Sequence, residues 1–373
     1  MRRSGSATLR LHGGKAPYWL INKMARLSAA LLEAMDDLYG SEKILARLSD
    51  PLFFQACSNV LGFDWDSSGS TTVTCGVLKN ALDKIDIGVK AVGGKGKRSN
   101  VIRDLDIFRE SLLLSDEEVS KISYASKTSA KVDTSAIQSG YSLYHHSVFA
   151  DNNGNWAIIQ QGMRPEEHLA RRFHWLSDDV ESFVIEPHKG IVGVKHDHVL
   201  DMTALESTGS RKACVDLVHE KTSRLRGLFQ SVEKKEQSSL RRWMDLDRIK
   251  PHVNNEISYS IPTKVNWKAL ESLYINPPSD FEGLLGYPGV GPATIRGLAF
   301  LSELLFGEKP SWKDPVRYSF AFGGKDGIPF PVDRRAMDNA TEILKSAVES
   351  SKLGNKEKLE AISRIRYRRT GEM

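Results

Sequence analysis

Apolar residues recur at helical spacing early in the chain: Trp19, Leu20, Met24, Leu27, Leu31 and Leu32 follow one face of a helix. Asp50-Pro51 opens another helix, because proline suits the first turn, where its missing N–H costs nothing. The period changes after about residue 130. Segments 141–149 and 156–161 read as strands flanking Asp151-Asn152-Asn153-Gly154-Asn155, a turn-rich connection expected of a hairpin. Segments 182–188 and 191–199, either side of Lys189-Gly190, read as a second, tighter hairpin. From about 203 the helical period returns through Leu205, Ala213, Val215, Leu217 and Val218. The pattern predicts an α+β, multi-domain fold. It has a helical N-terminal region (1–130), a small central antiparallel β region (131–202) and a C-terminal all-α region (203–373). Between Val89 and Asn100, the run Gly93-Gly94-Lys95-Gly96-Lys97-Arg98 reads as a mobile basic loop. It lacks the spacing of a Walker loop, as do the Gly-Gly-Lys runs at Gly13 and Gly323.

In the C-terminal region, the stretch from Leu285 to Ile295 sets a glycine hairpin between two helical runs. Asp280, Phe281, Leu284 and Leu285 fit a short helix before it; Ile295, Leu298, Ala299, Leu301, Ser302 and Leu305 keep the period up to Gly307. Pro292 takes the first helical position and Gly291 leads into it. Two nearby glycines let backbone N–H groups point outward with no Cβ in the way, and the positive end of the second helix faces the same spot, which suits a phosphate. An ordinary helix-helix connection is the plainer alternative. Segment 280–306 resembles the helix-hairpin-helix of DNA-repair and recombination proteins. The resemblance implies a sequence-independent grip on the DNA backbone by Gly289, Val290, Gly291 and Thr294.

Downstream, Ile328-Pro329-Phe330-Pro331-Val332-Asp333-Arg334 resembles the segment of base-excision DNA glycosylases in which a Val-Asp follows the hairpin. The resemblance implies that Asp333 is an ionised carboxylate beside a flipped base, stabilising charge on the sugar or positioning water. Lys325 and Arg334 then count as basic DNA contacts on either side of it. The lysine of bifunctional members is matched by Ala293, so a monofunctional enzyme is implied. The span from Ala293 to Asp333, with an insertion from Trp312 to Gly327, is longer than in compact members. Asp333 can also simply cap a helix starting at Arg334, and one residue can do both.

Composition adds a weak electrostatic argument. A formal charge of +5 and a pI near 8.9 over 373 residues permit nucleic-acid binding without requiring it. Basic residues gather at Lys95-Gly96-Lys97-Arg98, Arg171-Arg172, Arg241-Arg242, Arg334-Arg335 and the tail from Arg364 to Arg369; only the tail reads as a dedicated patch. Cys57, Cys75 and Cys214 are odd in number and lack metal-ligand spacing, which points to a reducing compartment. No apolar run reaches membrane-spanning length and no signal-peptide core follows Met1, so a cytoplasmic protein without a membrane partner is expected. Its oligomeric state is open.

Further motifs run along the chain: Arg3-Ser4-Gly5 to Trp19-Leu20, Leu61-Gly62-Phe63-Asp64-Trp65-Asp66-Ser67-Ser68-Gly69, Tyr144-His145-His146, Gln160-Gln161-Gly162-Met163, Arg171-Arg172-Phe173-His174-Trp175 and Gly323-Gly324-Lys325-Asp326-Gly327. Through them essentially the whole chain resembles an uncharacterised, largely archaeal family known only as a domain of unknown function. That family usually has a histidine where this chain has Asp66, and it implies no established activity. The residues offer a second chemistry in the β region. His145 and His146, adjacent on a strand, point to opposite faces and cannot share a metal. What remains is a metal-independent cluster of His145 or His146, Gln160 or Gln161, Arg171, Arg172 and His174, suited to acid/base work and charge stabilisation in a nuclease. Arg171 and Arg172 are expected to grip phosphate, with Phe173 and Trp175 either stacking on bases or filling the core. Three functions therefore stay open: a glycosylase at Asp333, a nuclease at the central cluster, and a noncatalytic DNA-binding adaptor. DNA is the expected partner, and no cofactor is expected beyond a divalent metal in the nuclease case.

Overall fold

The structure, a computed structural model, describes residues 9–11, 17–62, 68–96, 100–230, 264–316 and 334–366. After β1 (Leu9–Arg10) come α1 (Tyr18–Tyr39), α2 (Ser41–Ser49), α3 (Pro51–Leu61) and α4 (Ser68–Leu82). The sequence sets these helices visibly. In α1, Met24, Leu27, Leu31, Leu32 and Met35 share the buried face. Asp50 caps α3 by accepting the N–H groups of Leu52 and Phe53 at 2.9 Å each, with Pro51 in the first turn as expected.

The first half of the run expected to be a mobile basic loop, Gly93–Lys95, instead ends strand β2 (Val89–Lys95), paired with β4 (Ser142–Asp151) along its whole length; Lys97 and Arg98 lie outside the described residues. Its glycines are what make the pairing fit. Gly93 has φ +91°, and a Cβ there would lie 2.3 Å from the His146 carbonyl oxygen, so only glycine lets the backbones approach. Next come α5 (Asp106–Leu112) and α6 (Asp116–Lys131), which starts in a Ser115/Glu118 capping box and ends in a π-helical turn at Val132–Ala136.

The first expected hairpin forms as β4 and β5 (Trp156–Arg164), with Asp151 Oδ1 accepting the N–H groups of Asn153 and Asn155 at 3.0 and 2.9 Å to shape the turn. β6 (Leu169–Leu176) follows. The second expected hairpin does not form: segment 182–188 carries no strand, and only β7 (Gly190–Val192) pairs, with β6. Pro187 has no N–H to donate, and Glu186 at φ +43° is turned out of an extended path. The sheet runs β1-β6-β5-β4-β2 and is antiparallel throughout, with β7 beside β6. Its outer strands β1 and β2 thus come from the region expected to be helical. A short ladder joins β3 (Ile137–Gln138) to β8 (Leu200–Asp201).

The remaining helices are α7 (Thr208–Val218), α8 (222–230), α9 (Trp267–Ile275), α10 (Phe281–Gly286), α11 (Pro292–Phe306), α12 (Arg334–Ser350) and α13 (Asn355–Arg366). The sheet is covered on both faces, so the fold is three layers with two cores. One face carries Val148, Ile158, Phe173 and Trp175 against α6, α7 and α9–α11. The opposite face carries Phe149, Ala157, Ile159 and Leu176 against α1–α4, α12 and α13. Each fully buried large apolar side chain in these cores contributes about 1.5–3 kcal/mol. Among the described residues no helix is long and apolar enough to cross a membrane.

Candidate functional site

The glycine hairpin is built as the sequence predicts, two helices joined by a five-residue turn, 287–291. Asp280 caps α10 through the Gly283 N–H at 2.8 Å, and Pro292 opens α11 behind Gly291. Two hairpin carbonyls and that of Pro292 are anchored inward. Asn266 Nδ2 donates to the Gly289 carbonyl at 3.0 Å, Lys131 Nζ to Val290 at 2.6 Å, and Gln138 Nε2 to Pro292 at 2.8 Å. In a trans peptide the N–H points opposite to the preceding C=O. The N–H groups of Gly291 and Ala293 therefore face away from the protein, and neither has a partner among the described residues.

The two hairpin glycines serve different ends. Gly289 sits at φ +83°, where a Cβ would come 2.8 Å from Asn266 Nδ2; the turn itself needs it. Gly291 has extended backbone, φ −139° and ψ −175°, and a Cβ there would meet nothing within 4 Å. Packing gives no reason for glycine at that position. Val290 is core, and Thr294 is buried with its hydroxyl accepting the Asn266 N–H at 3.4 Å, so these two act inward. α12 begins at Arg334; Asp333 and Lys325 lie outside the described residues.

The central residues do not form one cluster, because the sheet divides them. His146 and Gln160 face the α6 side: His146 Nε2 meets Ser126 Oγ at 2.8 Å, and Gln160 Nε2 donates to Asp133 Oδ2 at 2.9 Å. His145, Gln161, Arg172 and His174 face α2–α4. There Gln161 bonds the Thr71 and Tyr144 hydroxyls and the Ser68 carbonyl, while His174 packs edge-on against Phe54 at 5.5 Å. A register shift between Leu143 and His145 brings Tyr144 to the same glutamine as its neighbour.

The paired arginines are not the phosphate grips they were expected to be. Both are fully buried, on opposite faces: strand alternation inside a sheet covered on both sides leaves neither side chain a route to solvent. Arg171 Nη2 pairs with Asp314 Oδ2 at 2.5 Å and donates to the Val194 carbonyl at 2.8 Å. Phe173 and Trp175 are likewise core, not exposed stacking platforms. Burial pushes the imidazoles down, His145 to about 3, His146 to about 4 and His174 well below the ordinary range, so all three are neutral.

Beneath β5 and β6 lies a group that no sequence pattern announces. Asp133, on the π-helical turn, accepts from Trp175 Nε1 at 3.1 Å and meets His188 Nε2 at 2.5 Å. Burial raises its carboxyl, and His188 and Trp175 pull the other way. Among the described residues no three His, Cys, Asp or Glu side chains gather as a metal cradle.

A family model described as a protein of unknown function (DUF763) matches residues 5–332. The chain belongs to this family. The DUF763 span includes the hairpin and both sides of the sheet, and ends one residue before Asp333. No curated protein and no solved structure matches the chain.

Proposed function

We propose that this DUF763 protein holds nucleic-acid backbone, DNA in the first instance, through the 287–291 hairpin, and that it acts in DNA repair or processing. The reading rests on one observation. The Gly291 N–H is turned outward by the anchored Val290 carbonyl, and its residue is a glycine with no packing reason, open to empty space where a Cβ would stand. An anion approaching that point meets two free backbone donors and the positive end of α11. Contacts of this kind position a backbone without reading bases, so affinity should be indifferent to sequence and fall steeply with salt.

The chemistry proposed with this grip is base release at Asp333. Without an amine at Ala293, such an enzyme would cleave the base–sugar bond with water and leave an intact abasic strand. The test incubates full-length protein with damaged and undamaged oligonucleotides and resolves products before and after alkali. Strand breaks only after alkali, lost in Asp333→Asn, support the reading; direct nicking by both proteins removes it and favours a nuclease. Salt-sensitive binding without product on any substrate leaves an adaptor. Absence of binding removes the hairpin reading altogether.

A further inference from the structure

On the sheet face beneath α2–α4, Arg172 is completely buried and bonded only to neutral groups. Nη2 donates to Gln55 Oε1 at 3.0 Å, Nη1 to Thr71 Oγ1 at 3.3 Å, and the guanidinium lies 4.7 Å over the Phe54 ring. The contrast with Arg171, which has Asp314, is plain. Among the described residues no carboxylate pairs with Arg172, and Cys75, the thiol whose field it feels, is pushed up to about 12 by burial and is uncharged. Desolvating a charge without an opposite partner is among the costlier arrangements in a protein interior.

The surroundings repeat the message. Arg172 Nε has no hydrogen-bond partner, nor do Gln55 Nε2, both side-chain atoms of Asn59 or His145 Nδ1. These side chains belong together. Gln55 and Asn59 are one turn apart on α3, His174 packs edge-on against the Phe54 that carries Arg172, and His145 pairs in register with Gln161, itself opposite Arg172. Native interiors leave few polar atoms unpaired, so several on the face that holds an unpaired buried cation call for an occupant. The free groups are mostly donors: a guanidinium N–H, two amide NH2 groups and an imidazole able to present N–H. Lys95, exposed and opposite His145 in the β2–β4 ladder, adds a second cation at the sheet edge.

We infer that this cluster is a binding site for a small oxyanion, a carboxylate or phosphate group seated against Arg172 between β6 and α3. The inference is independent of DNA binding, since the hairpin packs on the other side of the sheet. The occupant supplies the missing negative charge and accepts from Arg172 Nε, Gln55 and Asn59, which the fold otherwise leaves without partners.

The test titrates the full-length chain with sodium phosphate and, separately, sodium acetate, at ionic strength held constant with sodium chloride. Binding is followed by calorimetry and thermal unfolding. One saturable site per chain is expected for one of the two anions; response to acetate alone identifies a carboxylate, to phosphate alone a phosphoryl group. Arg172→Met should abolish the response. Gln55→Leu, which keeps the cation but removes one donor and the Oε1 that accepts from Arg172, should weaken affinity about tenfold or more. No saturable response in the wild type overturns the inference, and equal affinity in Arg172→Met shows an adventitious ion only. If Arg172→Met does not fold, Gln55→Leu decides, and unchanged affinity there rejects the site.

Discussion

Replacing Gly291 by alanine separates binding from folding in a way that replacing Gly289 cannot. At Gly289 the added methyl must adopt φ +83°, at about 1–2 kcal/mol for an L-residue. It also meets Asn266 Nδ2 at 2.8 Å and the Ala269 Cβ at 3.2 Å, disturbing the residue that caps α9 through the Ala269 N–H. Losing that cap adds about 1 kcal/mol, for a total of roughly 2–3. At Gly291 neither cost applies, because the backbone is extended and the Cβ direction is open. Stability should stay within about 0.5 kcal/mol, or rise by up to about 1 through a less flexible unfolded chain. DNA affinity should still fall: the methyl fills open space on the residue that carries the outward N–H and crowds a phosphate held there, and one hydrogen bond to a charged oxygen is worth about 1.5–3 kcal/mol, or roughly ten- to a hundredfold. Chemical denaturation gives the first quantity, and anisotropy of a labelled duplex at fixed salt gives the second. A folded Gly291→Ala protein with wild-type affinity would refute the reasoning, since the glycine would then have neither a packing nor a ligand reason.

Three further outcomes are expected. Arg171→Ala should cost about 3–5 kcal/mol in urea unfolding, because it strands Asp314 as a buried unpaired charge; a loss below about 1 kcal/mol would deny that pair its structural role. Lys131→Met should weaken DNA binding by releasing the Val290 carbonyl, and leave the salt slope nearly unchanged because the ammonium lies on the inward side; wild-type affinity would deny it the bracing role. Stability should decline below pH 6.5, where the unfolded histidines take up protons that His145 and His146, at about 3 and about 4, refuse. Each contributes up to about 1.4 kcal/mol per pH unit, present in full above 6.5 and lost as pH falls toward the folded values. Asp133, raised by burial, takes up its proton more readily in the fold and offsets part of the loss. Urea midpoints measured from about pH 7 to 4.5 check this, and a flat profile would contradict the buried, neutral histidines.

Local signals carried well and distant ones did not. The cap at Asp50, the β4–β5 turn and the two helices around the hairpin follow from neighbours in sequence, and each lies where the pattern predicts. The β2 strand was hidden because Gly93 and Gly94 read as looseness, whereas Gly93 is required by an approach to His146 that only the folded chain reveals. The Arg171-Arg172 pair looked like surface charge because its partners are far along the chain, Asp314 for one and Gln55 for the other. Alternation sends the two opposite ways, and nothing local says that both faces are covered. Gln55 and Asn59 did leave a trace, as polar residues inside the otherwise apolar run of α3. Asp133 left none.

The partition of the sheet gives the molecule a pair of neighbouring sensors. His145 and His146 share a peptide bond, yet one imidazole looks into the layer that holds Arg172 and the other touches Ser126 on α6, the helix whose last residue, Lys131, braces the hairpin. In a spectrum of the chain labelled at histidine ring carbons, a small anion should move the first signal and leave the second nearly still. A ligand drawn to the hairpin should do the reverse. Two resonances one residue apart would then tell which side of the wall a molecule has reached, before any product is sought.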